Sequence, residues 1–345
     1  MSWITRLAKQ APVPVFVAIV DDAPVDMARL ALHPDLSLVD SPRAAAILLV
    51  AGTLPDALMP HLQRLHDQLP HPRATVQWQS SRVGGLSDAS ISVSRDDDIV
   101  AALKEIRDAL MSGARQSEPD LLPDVPPNEW RGVGPHGQGG KGMMGGTPYG
   151  RPMAKRAEDI RDGLKLDAYT ADLGPFLPMF PPGLMLRLSL QGDVIQTVGV
   201  THPPFDCDWD QGAAMLRLLG LPALGERSLR PKSQDDLALT RLIRFSGCRR
   251  AIPPGLGRTR DGSDVRDRFA RLMAAPVDPI IPDIGETTLG DLLVGCEWHE
   301  AMLVLNSFDS GSLRRLCAYT SARDKQSGTD TQEHGAHDPH AGHTT

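Results

Sequence analysis

The stretch Ala44–Gly85 limits the possible folds of this chain more than any other. It opens on Ala44–Ala51, a short apolar run rich in Ile, Leu and Val, which reads as a buried strand. Gly52-Thr53-Leu54-Pro55 breaks that run. Leu58, Leu62, Leu65 and Leu69 then recur at helical spacing until Pro70-His71-Pro72 ends the helix, and Ala74–Gln79 reads as a second strand. Strand, loop, helix, strand is a βαβ crossover, the unit of a parallel sheet covered on both faces. Ligands of open α/β sheets sit outside the carboxyl ends of the strands, so the loop after Ala51 lies on the edge where a site is expected.

The flanking sequence extends the same pattern. Val13–Val20 reads as a first strand, followed by Asp21-Asp22-Ala23-Pro24 and a helix carrying Val25, Met27, Ala28, Leu30 and Ala31. Leu36–Val39 and Ser90–Ser94 read as further strands. A helix over about 99–111 shows Val100, Leu103, Ile106 and Leu110 on one face, opened by Asp96-Asp97-Asp98. Carboxylates in that first turn suit the helix dipole. A metal reading of the three aspartates is weaker, since consecutive residues of a helix point in different directions.

These motifs resemble the small iron–sulfur subunit of respiratory complex I and of the related membrane-bound [NiFe] hydrogenases. The resemblance rests on Ile47–Leu54, Met59-Pro60, Leu65–Arg73 (LHDQLPHPR) and Ser80-Ser81-Arg82-Val83-Gly84-Gly85. The family ligates its cluster through cysteines in the first strand-to-helix loop and in a Ser-Cys-x-x-Gly-Gly turn. The matching positions here are Asp21, Asp22, Ala23 and Ser81, none of them a thiol. Iron–sulfur clusters are held by thiolates. The resemblance therefore implies vestigial cluster positions and no cluster. The four cysteines, Cys207, Cys248, Cys296 and Cys317, have no CxxC spacing and read as buried small residues; a cluster assembled from all four has no support in their spacing.

Ser112–Pro127 is polar and proline-rich and reads as a linker into the glycine-dense stretch Gly132–Arg151. Gly139-Gly140-Lys141-Gly142 is not a Walker loop, because Gly142 stands where Ser or Thr is required. A structured loop packing on a neighbour is the better reading, with His136, Lys141, Tyr149 and Arg151 as its candidate interface groups. Ala154–Arg161 reads as a short charged segment, closed by a turn at Asp162-Gly163.

Further on, Met185–Leu190 and Val194–Val200 flank Gln191-Gly192-Asp193 as a hairpin. Together with Gly174-Pro175, this hairpin resembles the start of the complex I subunit that is similar to hydrogenase large subunits and lines the quinone pocket. The family's two quinone-facing histidines correspond to Leu177 and Pro181, whose side chains offer no hydrogen bond. Helical spacing follows over 211–219, 234–246, 264–273 and 289–306, the segment Asp264–Phe269 resembling the family's Gly-Asp-x-x-Asp-Arg helix. His299-Glu300 is not a zinc-protease motif, since Leu303 stands where the second His belongs. The tail carries His334, His337, His340 and His343; it reads as disordered, with at most weak metal affinity.

The expected fold is an α/β N-terminal domain (1–115), a flavodoxin-like parallel sheet of small-subunit type. A Pro/Gly-rich linker and loop (116–170), an α+β domain of hairpin plus helical bundle like a hydrogenase large subunit (171–320), and a tail (321–345) follow. The net charge of −7 argues against a general nucleic-acid binder. No apolar run reaches the ~18–20 residues a membrane span needs. The resemblance implies a complex I-like peripheral subunit, cytoplasmic, on the inner face of the cell membrane. It would scaffold or couple antiporter-like or quinone-subunit-like membrane proteins and would not be catalytic alone. The alternative is a quinone or other small molecule held at the inter-domain interface, near Tyr149, His136, Asp21 and Asp22.

Overall fold

A computed structural model describes residues 10–23, 27–78, 84–94, 97–124, 155–158, 160, 163, 165–207, 209–230, 236–274 and 282–333. The first module is a five-stranded parallel sheet of β1 (Val13–Ile19), β2 (Leu36–Leu38), β3 (Ile47–Ala51), β4 (Ala74–Trp78) and β5 (Ile91–Val93), ordered β2-β1-β3-β4-β5. Every residue of β3 and β4 is buried, as central strands clad on both faces must be. One face carries Val13, Val15, Leu49, Val76 and Trp78 and packs on Leu30 of α1 (Met27–Leu32) and on Ile99, Leu103, Ile106 and Leu110 of α3 (Ile99–Ser112). The Asp98 carboxylate accepts from the backbone N–H groups of Val100 and Ala101, and Gly113, at φ 74°, ends α3. Asp98 is thus occupied as a helix cap.

The other face presents Phe16, Ala18, Val20, Leu48 and Val50, and α2 (Met59–His66) with the residue before it covers it only in part through Leu58, Leu62 and Leu65. The connection from β2 to β3 is a single turn of 3₁₀-helix, Pro42–Ala44, too short to cover β1. Met185 and Phe205 of the second module complete that core, with Phe176 and Cys207 packed against it.

The second module is a four-stranded antiparallel sheet, β6 (Lys155–Glu158), β7 (Lys165–Leu173), β8 (Met185–Gln191) and β9 (Val194–His202), in sequential order. The expected hairpin is its β8–β9 half. The charged segment before it contains β6, and β7 begins at Lys165, so a boundary at 170 would cut β7. On one face Leu186, Leu188 and Ile195 join a helical layer. That layer comprises α4 (Gln211–Leu218), α5 (Pro222–Ser228), α6 (Asp236–Ser246), α7 (Val265–Leu272), α8 (Leu289–Leu293), α9 (Trp298–Asn306) and α10 (Ser310–Glu333). The helix expected over 289–306 is two helices. Between them Gly295 (φ 87°) and Cys296 turn back to pair with β9: the Ile195 N–H donates to the Cys296 carbonyl and the Gly295 N–H to that of Ile195. Helix α10 continues past Ser321 to Glu333, so helix extends into the segment read as a disordered tail; His334, His337, His340 and His343 lie outside the described residues.

The first module also extends past its expected end at 115. Glu118 is fully buried and accepts from the Thr75 N–H at 2.8 Å and from His66 Nε2 at 3.1 Å. His66 Nδ1 lies 2.8 Å from Asp67 Oδ1, and Asp67 accepts from the N–H groups of Leu121 and Leu122. Buried Arg73 donates to the carbonyls of His66 and Leu69 and to Asp120. This network fastens residues 117–122 across the amino end of β4. Its polarity reads as linker in sequence, and its burial depends on partners far along the chain.

Candidate functional site

Strand order diverges at β1: the chain crosses to β2 on one side and β3 lies on the other. The crevice beyond the carboxyl ends of β1 and β3 is where a ligand is expected. Asp21, Asp22 and Ala23 are brought together there, opposite Gly52 and Thr53. The two loops are laced shut: Val20 N–H donates to Ala51 O (3.0 Å), Thr53 N–H to Asp21 O (2.7 Å) and Gly52 N–H to Trp78 O (3.0 Å). Gly52 has φ 104°, and a Cβ there would lie 2.2 Å from the Asp21 carbonyl oxygen. Only glycine allows so close an approach. Ser81 lies outside the described residues, as do His136, Lys141, Tyr149 and Arg151. The crevice offers carboxylates and a hydroxyl, and the first cysteine of the sequence is Cys207. Oxygen donors suit hard cations rather than the iron of a sulfide cluster.

The lacing makes a sharp prediction. Gly52→Ala should lower stability by about 2–4 kcal/mol through strain and the carbonyl clash, whereas Asp21→Ala, which keeps the carbonyl, should change it by under about 1 kcal/mol. Urea unfolding of both variants checks the pair.

A second concavity lies at the seam between the modules. Two adjoining hollows of about 390 and 180 Å³ share Phe16, Asp40, Phe176 and Leu177 in their walls. The walls mix apolar and polar surface, with Ile19, Leu38 and Phe180 among the apolar contributors. Polar groups stand at the margin: His61, Arg64, Asp40, Asp172 and Arg217. Arg217 bridges the seam to Asp40 at 2.6 Å. Burial and neighbouring Arg64 hold His61 below the usual imidazole value against the opposite pull of Asp172. The Arg187 guanidinium, bonded to Asp172 at 2.8 and 2.9 Å, holds that carboxyl below its usual value. Apolar walls with a few convergent polar groups are the ordinary form of a small-molecule site.

The wall bearing Leu177 is the loop from Gly174 to Leu184. Gly174 (φ 105°) brings the chain so close to the Leu184 carbonyl that a Cβ would stand 2.0 Å from its oxygen, and a Cβ on Gly183 would meet the Phe205 ring at 2.5 Å. The Gly183 carbonyl bonds His202 Nδ1 at 2.8 Å, and the Met179 carbonyl accepts from Asn306 Nδ2 at 2.8 Å. So held, the loop presents Leu177, 37% exposed, to both hollows, while Pro181 is buried and lines neither. The two positions matched to quinone-facing histidines therefore do not share a surface.

Two buried polar centres lie away from both concavities. One is the His66–Glu118 network; Asp67 and Arg73 of it are visible as sequence motif, and Glu118 is not. The other is Arg268, buried in the resembling Asp264–Phe269 segment. It donates to the carbonyls of Gly257 and Ser263 and to the Ser307 hydroxyl, and its guanidinium stacks 4.2 Å from the Phe308 ring centre. Burial lowers its pKa to about 10. Its donors are spent on the loop around Gly257, which marks it as a fastening of the helical layer. No family model matches the chain.

Proposed function

We propose that this chain is a complex I-like peripheral subunit without an iron–sulfur cluster of its own. It would scaffold or couple membrane ion-translocating subunits of the antiporter-like or quinone-subunit-like kind. The observation that carries the reading is the seam: a parallel sheet in 2-1-3-4-5 order docks by its half-covered face onto a hairpin-led helical module, with Asp21, Asp22 and Ala23 following β1 at the strand end. That order is the flavodoxin-like one, which supports a first module of small-subunit type. The hairpin and helical layer support a second module like a hydrogenase large subunit. Among the described residues no helix is long and apolar enough to cross a membrane, so membrane association would come through the chain's surface.

Affinity purification from native membranes, with iron analysis and EPR of the product, tests this. Polytopic membrane proteins should co-purify, and iron should fall far below one cluster per chain. A stoichiometric iron–sulfur signal would sink the cluster-free claim, and recovery without membrane partners would sink the subunit claim.

The seam hollows favour a second reading, in which a quinone or similar flat apolar molecule binds beside Leu177. A short-chain quinone titrated calorimetrically should then bind saturably to the wild type, and Leu177→Arg should weaken it at least about tenfold by replacing apolar wall with a charged side chain. Absence of saturable binding counts against this reading alone.

A further inference from the structure

Helix α6 and the turn after it, Cys248–Ala251, present an unusual surface. Inward it contributes Ile243 and Cys248 to the core of the helical layer. Outward it exposes Leu237, Leu242 and Phe245, the last at 85%. Leu237 and Phe245 are two turns apart on one side of the helix, roughly 12 Å along its axis. Arg241, Arg244, Arg249 and Arg250 are exposed among them. Of these four, only Arg249 has a carboxylate partner among the described residues, Asp267 at 3.4 Å. Behind Phe245 lies a hollow of about 720 Å³ walled by Arg244, Arg249, Arg250 and Arg266 over Ile243 and Phe269, with no acidic residue among the described residues that line it. In a chain of net charge −7, this is a local reversal of sign.

We propose that this face binds an anionic phospholipid surface directly. Phe245 and Leu242 would enter the boundary between headgroups and acyl chains, and Arg241, Arg244 and Arg250 would sit at the level of the phosphates. Exposed apolar tips on one helix, ringed by exposed guanidiniums, are the pattern of a helix lying in a membrane interface. Guanidinium forks match phosphate oxygens, and the arginine-walled hollow beside Phe245 gives a headgroup a place next to them. The apolar tips stand out from a convex helix, which suits a fluid boundary better than a complementary protein groove. The inference rests on this surface alone and holds whichever proteins accompany the chain.

Co-sedimentation of the full-length protein with vesicles of phosphatidylcholine plus phosphatidylserine, and with phosphatidylcholine alone, tests it. Binding should require the anionic lipid and weaken as salt screens the charges. Each arginine near such a surface is worth about fivefold in partitioning. The double variant Arg244→Glu/Arg250→Glu should therefore bind at least about twentyfold more weakly, and Phe245→Ser should bind more weakly at every salt concentration. All these side chains are exposed, and circular dichroism should report an unchanged fold. No binding to either vesicle, equal binding to both, or full binding by the variants would overturn the proposal. So would variants that keep vesicle binding but lose a co-purifying acidic protein, which would identify the face as a protein dock.

Discussion

Replacing Glu118 with Ala should destabilise the protein by about 3–5 kcal/mol, the cost of removing one partner from a buried ionic group. Glu118 is fully buried, and its two oxygens accept from His66 Nε2 and the Thr75 N–H, with Arg115 Nη2 at 3.5 Å. Alanine leaves His66 Nε2 and the Thr75 amide without their acceptor and frees residues 117–122 from the sheet. Glu118→Gln keeps an acceptor for Thr75 and should cost less, about 1–3 kcal/mol. Urea unfolding gives the energies, and limited proteolysis near residue 118 should accelerate in the alanine variant first.

The same network contributes to the stability of the fold against acid. Burial alone would raise the Glu118 pKa, but hydrogen bonds from His66 and Thr75 outweigh it and leave the carboxyl below its usual value. Asp67 is likewise held low, burial being outweighed by the N–H groups of Leu121 and Leu122 and by His66. A carboxyl depressed in the folded state stabilises above its unfolded pKa and loses that contribution as pH falls through the folded value. Stability should therefore be level down to the ordinary carboxylate range and fall steeply beneath it. In Glu118→Gln that acid-induced fall should be shallower. A flat wild-type profile through the acid range would show the network to be energetically idle.

Gly174→Ala should have the second large effect. At φ 105° an alanine is strained by about 1–3 kcal/mol, and its Cβ would meet the Leu184 carbonyl oxygen at 2.0 Å. Backbone cannot step aside as a side chain can, so the total should reach about 3 kcal/mol or more. The loop carries Phe176 and Leu177 against the first module, and its displacement should open the seam and expose the loop to protease. Gly192, at φ 63° in the β8–β9 turn with nothing within 4 Å of where a Cβ would stand, is the control. Its alanine variant should cost only about 1–2 kcal/mol and leave the seam closed. Equal losses at the two glycines would show that the seam does not depend on the loop.

What is legible in the sequence is what local periodicity encodes. β3 is apolar on both faces because helices and the second module cover both, so its run stands out; β4 alternates, with Thr75 and Gln77 buried on its second face. Asp98 and Gly113 bracket α3 with ordinary cap chemistry, and Gly192 marks the β8–β9 turn. β6 and β7 escape a reading by pattern because they lie at the outer side of the antiparallel sheet, where Leu166 and Tyr169 are exposed and alternate with charged and polar residues. Glu118 escapes it because its partner His66 lies 52 positions away. The break between α8 and α9 depends on pairing with Ile195 of β9, again a distant partner. In the candidate sites, sequence places Asp21–Ala23 at a strand end but does not show the lacing through Gly52, which is backbone geometry. It matches Leu177 and Pro181 as equals, and the fold of the loop separates them.

The one-turn crossover at Pro42–Ala44 has a consequence for how such a chain can be made or inherited. A sheet left half clad by so short a connection is not a free-standing domain. Severed from the second module, it would present Phe16, Ala18 and Val20 to water as a sticky face. Joining both halves in one polypeptide places the covering partner next to that face during synthesis, at a high effective concentration and in fixed one-to-one ratio. The seam thus ties the two halves into a single unit of assembly, and neither half can be exchanged without rebuilding the other's core.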